Sequence, residues 1–184
     1  MNDVSRKAIT LVLGGARSGK SRYVQTLAAG ISPVAFVATG QPSDDEMRGK
    51  IERHRAERPQ EWKTIEEPLD LDRVVAQEAC KCKMLLIDCL TLYAASLLDT
   101  EKGDLIAIED RLQRFYVALG EAPCSIALVS NEVGSGIVPA FPSGRKFREL
   151  LGGINQQVAS AADHVLLMVA GLPLALKGTA EVHP

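Results

Sequence analysis

The octet Gly14-Gly15-Ala16-Arg17-Ser18-Gly19-Lys20-Ser21 constrains this chain more than any other stretch. It matches G-x-x-x-x-G-K-[ST] in full, with an apolar run before it and a helix-forming run after it. The residue types follow from the chemistry. Glycines let successive backbone N–H groups converge on phosphate oxygens, and the first turn of a helix adds partial positive charge. Lys20 can reach the β- and γ-phosphates as a catalytic residue, and the Ser21 hydroxyl is a ligand type suited to Mg²⁺. The octet predicts a strand–loop–helix unit that holds the triphosphate of a nucleotide, with Mg²⁺.

The rest of the chain alternates apolar runs with amphipathic ones, which predicts α/β architecture around a largely parallel sheet. Strands are expected at Ala8–Gly14, Val34–Thr39, Met84–Asp88, Ser125–Ser130 and His164–Met168, with a weaker one at Trp62–Ile65. Their near-continuous apolar character suits strands covered on both faces. Helices are expected at Lys20–Ala29, Asp44–Ala56, Leu71–Ala79, Leu105–Leu119 and Arg145–Ala161. Met47, Ile51 and His54 share a face of the second helix, which Ser43 and Glu46 open as a capping box. Gly134–Gly144 reads as a long loop after a strand end. A length of 184 residues without repeat or linker predicts one domain, Met1–Pro184.

Composition narrows the function classes. A net charge of −2 argues against a polyanion-binding surface, so nucleic acid is not an expected partner. The polar start Met1–Lys7 has no leader pattern. The longest apolar stretch, Val165–Leu176, is too short to span a bilayer and is interrupted by Gly171 and Pro173, as suits a buried strand. Cys80, Cys82, Cys89 and Cys124 lack histidines at zinc-ligand spacing and read as reduced thiols. The expectation is a cytoplasmic protein with no membrane span.

Three further features carry chemistry. Met84-Leu85-Leu86-Ile87-Asp88 is an apolar run ending in an acid, and Asp88 at a strand end beside the phosphate loop can hold Mg²⁺. An aspartate there is equally able to cap a following helix. Arg53-His54-Arg55 and Arg58-Pro59 place a nucleophilic imidazole among cations that could neutralise a phosphate. By residue type alone, the same cluster fits a solvated helix end better. Asn131 and Glu132, at another strand end, could contact substrate, a metal-bound water or nucleotide, or supply ordinary turn chemistry.

Taken together, the pieces resemble the bifunctional adenosylcobinamide kinase / adenosylcobinamide-phosphate guanylyltransferase family of cobalamin biosynthesis. The resemblance runs through Gly14–Ser21, Ala38-Thr39-Gly40, Asp45-Glu46-Met47, His54-Arg55 with Arg58-Pro59, and Glu66-Glu67-Pro68. It continues through Asp88-Cys89-Leu90-Thr91, Ser130–Pro139, Arg145, Phe147-Arg148 and Asn155-Gln156. One departure stands out: Ser96 occupies a place where the family pattern carries asparagine, although Tyr93 keeps the preceding aromatic.

The resemblance implies a P-loop NTPase fold of RecA-like type, a mostly parallel central sheet flanked by helices, and a homotrimer. It implies phosphorylation of adenosylcobinamide with ATP or GTP, then passage of GMP from GTP through a histidine to adenosylcobinamide phosphate. That histidine maps to His54. Nucleotide contacts map to Gly14, Gly15, Ala16, Arg17, Ser18, Gly19, Lys20, Ser21, Ala38, Thr39, Gly40, Arg55, Ala56, Glu57, Arg58, Glu66 and Asp88. The nucleotide's Mg²⁺ maps to Ser21 and Asp88. The general base of the kinase step has no clear assignment; Glu132 is the candidate.

Overall fold

A computed structural model describes residues 7–41, 49, 52, 55 and 58–179. Its strands are β1 (Ile9–Gly14), β2 (Val34–Ala38), β3 (Lys63–Glu66), β4 (Met84–Asp88), β5 (Ser125–Asn131), β6 (His164–Val169) and β7 (Leu172–Lys177). Its helices are α1 (Lys20–Leu27), α2 (Leu71–Glu78), α3 (Leu90–Thr100), α4 (Leu105–Glu121) and α5 (Pro142–Ala161). The strands form one seven-stranded sheet in the order β3-β2-β4-β5-β1-β6-β7, parallel throughout except for β7, which runs antiparallel to β6.

Period-2 alternation along the strands sends side chains to two separate cores. On one face Val12, Phe36, Leu86, Ala127, Val129 and Leu166 pack under Val24 of α1, Ala28 at its C-cap, and Trp62. On the other, Leu11, Val37, Leu85, Ile87, Ile126 and Leu128 pack under apolar stripes of α2, α3, α4 and α5. The α4 stripe is Ile108, Leu112, Phe115 and Leu119, spaced four, three and four as a core-facing helix requires. Asp104 opens α4, accepting hydrogen bonds from the Ile106 and Ala107 N–H groups at 3.0 and 3.3 Å.

This order sets the site. β5 lies between β1, which leads into the phosphate loop, and β4, which ends at Asp88. The register pairs Gly14 with Asn131 and Asp88 with Val129, so three carboxyl ends finish side by side. Open α/β sheets bind ligands at such an edge.

Three local expectations change. The apolar stretch Val165–Leu176 is a hairpin and not a single strand: Ala170 (φ 52) and Gly171 (φ 84) turn the chain between β6 and β7. As the edge strand, β7 is largely exposed. Helix α5 begins at Pro142, inside the expected loop, because proline at the first helical position sacrifices no hydrogen bond. Helix α3, which buries Leu90, Tyr93, Ala94 and Leu97, fills a stretch with no assigned element. Of the helix expected at Asp44–Ala56, Gly49, Glu52 and Arg55 are helical. Its other residues, the Ser43–Glu46 cap included, lie outside the described residues. No helix among the described residues is long and apolar enough to cross a membrane.

Candidate active site

The phosphate loop is built by close backbone packing. A Cβ on Gly14 would lie 2.6 Å from both the Met168 carbonyl oxygen and Ser18 Oγ, so only glycine fits. Gly19 takes φ 98, a left-handed conformation natural to glycine, and caps α1 with no side-chain hydrogen bond. The first N–H groups of α1 are therefore not occupied by a side-chain cap. The β6–β7 hairpin supports the loop from outside, with the Gly171 N–H donating to the Ser18 carbonyl at 3.0 Å.

Beneath the loop, Lys20 is buried. Its ammonium donates to the Gly14 and Gly15 carbonyls at 3.0 and 2.7 Å, and to Ser18 Oγ at 3.5 Å. Burial lowers its pKa, against the raising influence of Cys89 and Asp88. Lys20 is thus a desolvated cation held by the loop's own carbonyls, the form in which an arriving phosphate gains most from it.

Asp88 ends β4 on the face that carries α1, since Met84 and Leu86 of the same strand belong to that core. Thr39 fixes the turn that follows. It is fully buried, and its N–H donates to the Asp88 carbonyl at 3.1 Å. Its hydroxyl donates to the Cys89 carbonyl at 2.7 Å and accepts the Cys89 N–H at 2.8 Å. The Cys89 thiol is pushed up to about 11, first by burial and then by the Asp88 charge.

Arg58 closes the other side. Its guanidinium lies 3.8 Å over the Phe36 ring of β2, and its Nε is buried with no hydrogen-bond partner among the described residues. Burial works against its charge, while Asp88 and Glu66 favour it. Arg55 pairs with Glu66 at 3.6 Å, both side chains being exposed. Ala38 and Gly40 flank Thr39 at the end of β2. Arg17 and Ser21 belong to the loop and the first turn of α1, Arg17 with φ 56. His54, Ala56 and Glu57 lie outside the described residues.

The end of β5 is a polar knot that the sequence pattern does not resolve. Thr91 Oγ1 accepts the Asn131 N–H at 2.9 Å, and Asn155 Nδ2 donates to the Asn131 carbonyl at 3.0 Å. The Glu132 N–H donates to the Gly14 carbonyl at 3.1 Å, tying this end to the phosphate loop. Glu132 itself accepts from the Gly134 and Ser135 N–H groups at 2.6 and 3.1 Å. Burial opposes its charge, but those hydrogen bonds and Arg148 hold its carboxyl below the usual range. A carboxylate so engaged is a poor proton acceptor, which weakens Glu132 as a general base. Away from this edge, a cavity of about 600 Å³ between α2 and α4, lined in part by Asp72, Arg73, Arg114 and Glu121, includes none of these residues.

A glycine-built phosphate loop, a buried lysine under it and an acidic strand end one strand away define a P-loop nucleotide-binding protein. The fold agrees: an ATPase from the type III secretion system of pathogenic bacteria superposes with a TM-score of 0.59 at 14% identity, over 91% of this chain and 56% of that one. Residues 10–176 match the family described as cobinamide kinase / cobinamide phosphate guanyltransferase, and the chain belongs to that family of kinase and nucleotidyltransferase enzymes. It is 44% identical to the bifunctional adenosylcobalamin biosynthesis protein CobP of Pseudomonas aeruginosa, over 91% of this chain and 96% of that protein. It is 39% identical to the bifunctional adenosylcobalamin biosynthesis protein CobU of Escherichia coli, over 91% and 98%.

Proposed function

We propose that this chain performs two successive transfers onto one corrinoid. It phosphorylates the aminopropanol hydroxyl of adenosylcobinamide with ATP or GTP, then moves GMP from GTP to adenosylcobinamide phosphate, giving adenosylcobinamide-GDP. Family membership supports the substrate classes. The observation that carries the site is a buried Lys20 held under the phosphate loop by the Gly14 and Gly15 carbonyls, with the Arg58 guanidinium held over Phe36 and its Nε without a hydrogen-bond partner among the described residues, both cations being favoured by the charge of Asp88. Two cations converging on one acidic strand end suit a triphosphate and its metal.

In the kinase step the acceptor oxygen attacks the γ-phosphorus, the bond to the β-phosphate bridge breaks, and the hydroxyl proton is lost. Lys20 neutralises the charge that builds on the phosphates. In the guanylyl step a neutral His54 nitrogen attacks the α-phosphorus of GTP and pyrophosphate leaves. The acceptor phosphate then attacks the same phosphorus, breaking the P–N bond and returning His54 to neutral imidazole. Arg55 and Arg58 stand as neighbours of the transferred phosphate. The remaining nucleotide contacts are proposed at Gly14–Ser21, Ala38–Gly40, Ala56, Glu57, Glu66 and Asp88.

The Ser21 hydroxyl and the Asp88 carboxylate are hard oxygen donors, the type Mg²⁺ prefers. Two such donors from the chain suit an ion whose other ligands come from the nucleotide phosphates. Bound there, Mg²⁺ neutralises phosphate charge. The enzyme is proposed to work as a cytoplasmic, single-domain protein in a homotrimer, with nucleotides and the corrinoid as ligands and no nucleic-acid partner.

Isotope placement tests the reading. With adenosylcobinamide and GTP labelled separately at the α- and γ-phosphates, both labels should reach the corrinoid product. Transfer of γ-label alone would leave a kinase and remove the guanylyl half. His54→Ala should stop α-label transfer and spare γ-label transfer.

A further inference from the structure

The segment from Glu132 to Phe141 leaves β5, the strand between the phosphate loop and Asp88, and crosses to α5. It holds three large apolar side chains in water: Ile137 is 97% exposed, Phe141 76% and Val138 62%. A loose loop would fold such residues back onto the protein. This one is pinned. Half-buried Val133 packs against the core on the face that carries α2 to α5, and the Glu132 carboxylate accepts the Gly134 and Ser135 N–H groups. Arg148 donates to the Gly134 carbonyl, and Arg145 donates to the Pro139 and Ala140 carbonyls at 3.0 and 2.7 Å. At Gly144, a Cβ would lie 2.8 Å from Pro139 Cβ, so the loop presses directly on the first turn of α5.

Position selects the occupant. Helix α1, which the phosphate loop leads into, covers one face of the sheet, whereas α5 covers the other. The apolar loop therefore stands across the strand ends from the nucleotide, yet its root is hydrogen-bonded to Gly14. Displacement at phosphorus brings acceptor and leaving group from opposite sides. Resting on the functional reading above, we infer that Ile137, Val138 and Phe141 form the platform that seats the acceptor, a wide macrocycle edged with methyl and uncharged amide groups. Apolar side chains meet the ring edge, and the exposed Ser135–Gly136 backbone meets the amides. The pinned loop presents this platform already formed, so little ordering is needed on binding.

The test uses full-length protein and the single and double variants Ile137→Ser and Phe141→Ser, with adenosylcobinamide binding read by corrinoid absorbance at equilibrium and nucleotide binding read with a fluorescent GTP analogue. The double variant should weaken corrinoid binding about tenfold or more, because it removes apolar area that binding would take out of water, and should shift nucleotide binding less than about twofold. Unchanged corrinoid binding in the double variant overturns the platform while leaving the functional reading intact. Failure of the parent protein to bind any corrinoid overturns both. A change in solution mass by light scattering, with corrinoid binding retained, makes the loop a contact between copies and overturns the platform.

Discussion

The Thr39 hydroxyl brackets Cys89 from both sides, donating to its carbonyl at 2.7 Å and accepting its N–H at 2.8 Å. One side chain at the end of β2 thereby fixes the turn that begins at Asp88. Thr39→Val keeps the shape and strands both backbone groups, at a cost of about 1–3 kcal/mol of stability. It should also lower both transfers, because Asp88 loses its fixed exit. Thr39→Ser should retain most of both. Denaturant unfolding with steady-state assays of each step checks this.

Lys20→Ala should reduce both transfers by about 100-fold or more, since both need the triphosphate held. An unchanged guanylylation rate would mean that the phosphate loop is not the GTP site. The lowered pKa of Lys20 adds a pH signature. Where the folded chain has lost this proton and the unfolded chain still holds it, stability rises with pH. The window lies on the alkaline side, below the ordinary lysine value of 10.5. Unfolding of the nucleotide-free protein across that range should show the rise, and Lys20→Met should flatten it.

Gly14→Ala introduces a Cβ 2.6 Å from the Met168 carbonyl oxygen, which is fixed in β6. The backbone must yield, so a loss of about 1–3 kcal/mol is expected, with nucleotide binding impaired beyond what stability explains. Gly15→Ala, which meets nothing within 4 Å, is the control and should be nearly neutral for stability.

Phe36→Leu keeps an apolar side chain in the core and removes the ring beneath Arg58. A desolvated cation–π contact contributes about 1–2 kcal/mol, so nucleotide affinity should fall roughly five- to thirtyfold. Isothermal titration with GTP reads this directly.

Glu132 has a folded pKa below its unfolded value. Its stabilisation is complete above the ordinary carboxylate range and is lost as pH falls through the lowered folded value. Glu132→Gln should flatten that acid limb in pH-dependent unfolding while retaining phosphoryl transfer. Loss of the kinase step with nucleotide binding intact would restore Glu132 as the general base.

Local chemistry is readable in the sequence and long-range chemistry is not. The phosphate loop can be read because its glycines, Lys20 and Ser21 are contiguous, and β4 because an unbroken apolar run ends in Asp88. The α3 stripe Leu90, Tyr93, Ala94 and Leu97 has helical spacing, so the helix that could follow Asp88 is legible although the sequence reading gives it no bounds. The hairpin at Ala170–Gly171 is hidden because glycine and Pro173 look like a blemish in one strand until β7 is seen paired to β6. The Thr39–Cys89 bracket spans 50 residues, and the Asn155–Asn131 contact joins a helix to a strand end. Neither leaves a local pattern. The strand order that sets β5 between β1 and β4 is likewise a property of the whole sheet.

The measurement closest to the central claim is the intact mass of the protein after incubation with GTP and Mg²⁺, repeated after addition of adenosylcobinamide phosphate. The expected result is an acid-labile GMP adduct that maps to His54, is absent from His54→Ala, and is discharged by the corrinoid. No adduct under conditions where GTP is bound, or an adduct on another residue, would contradict the covalent route.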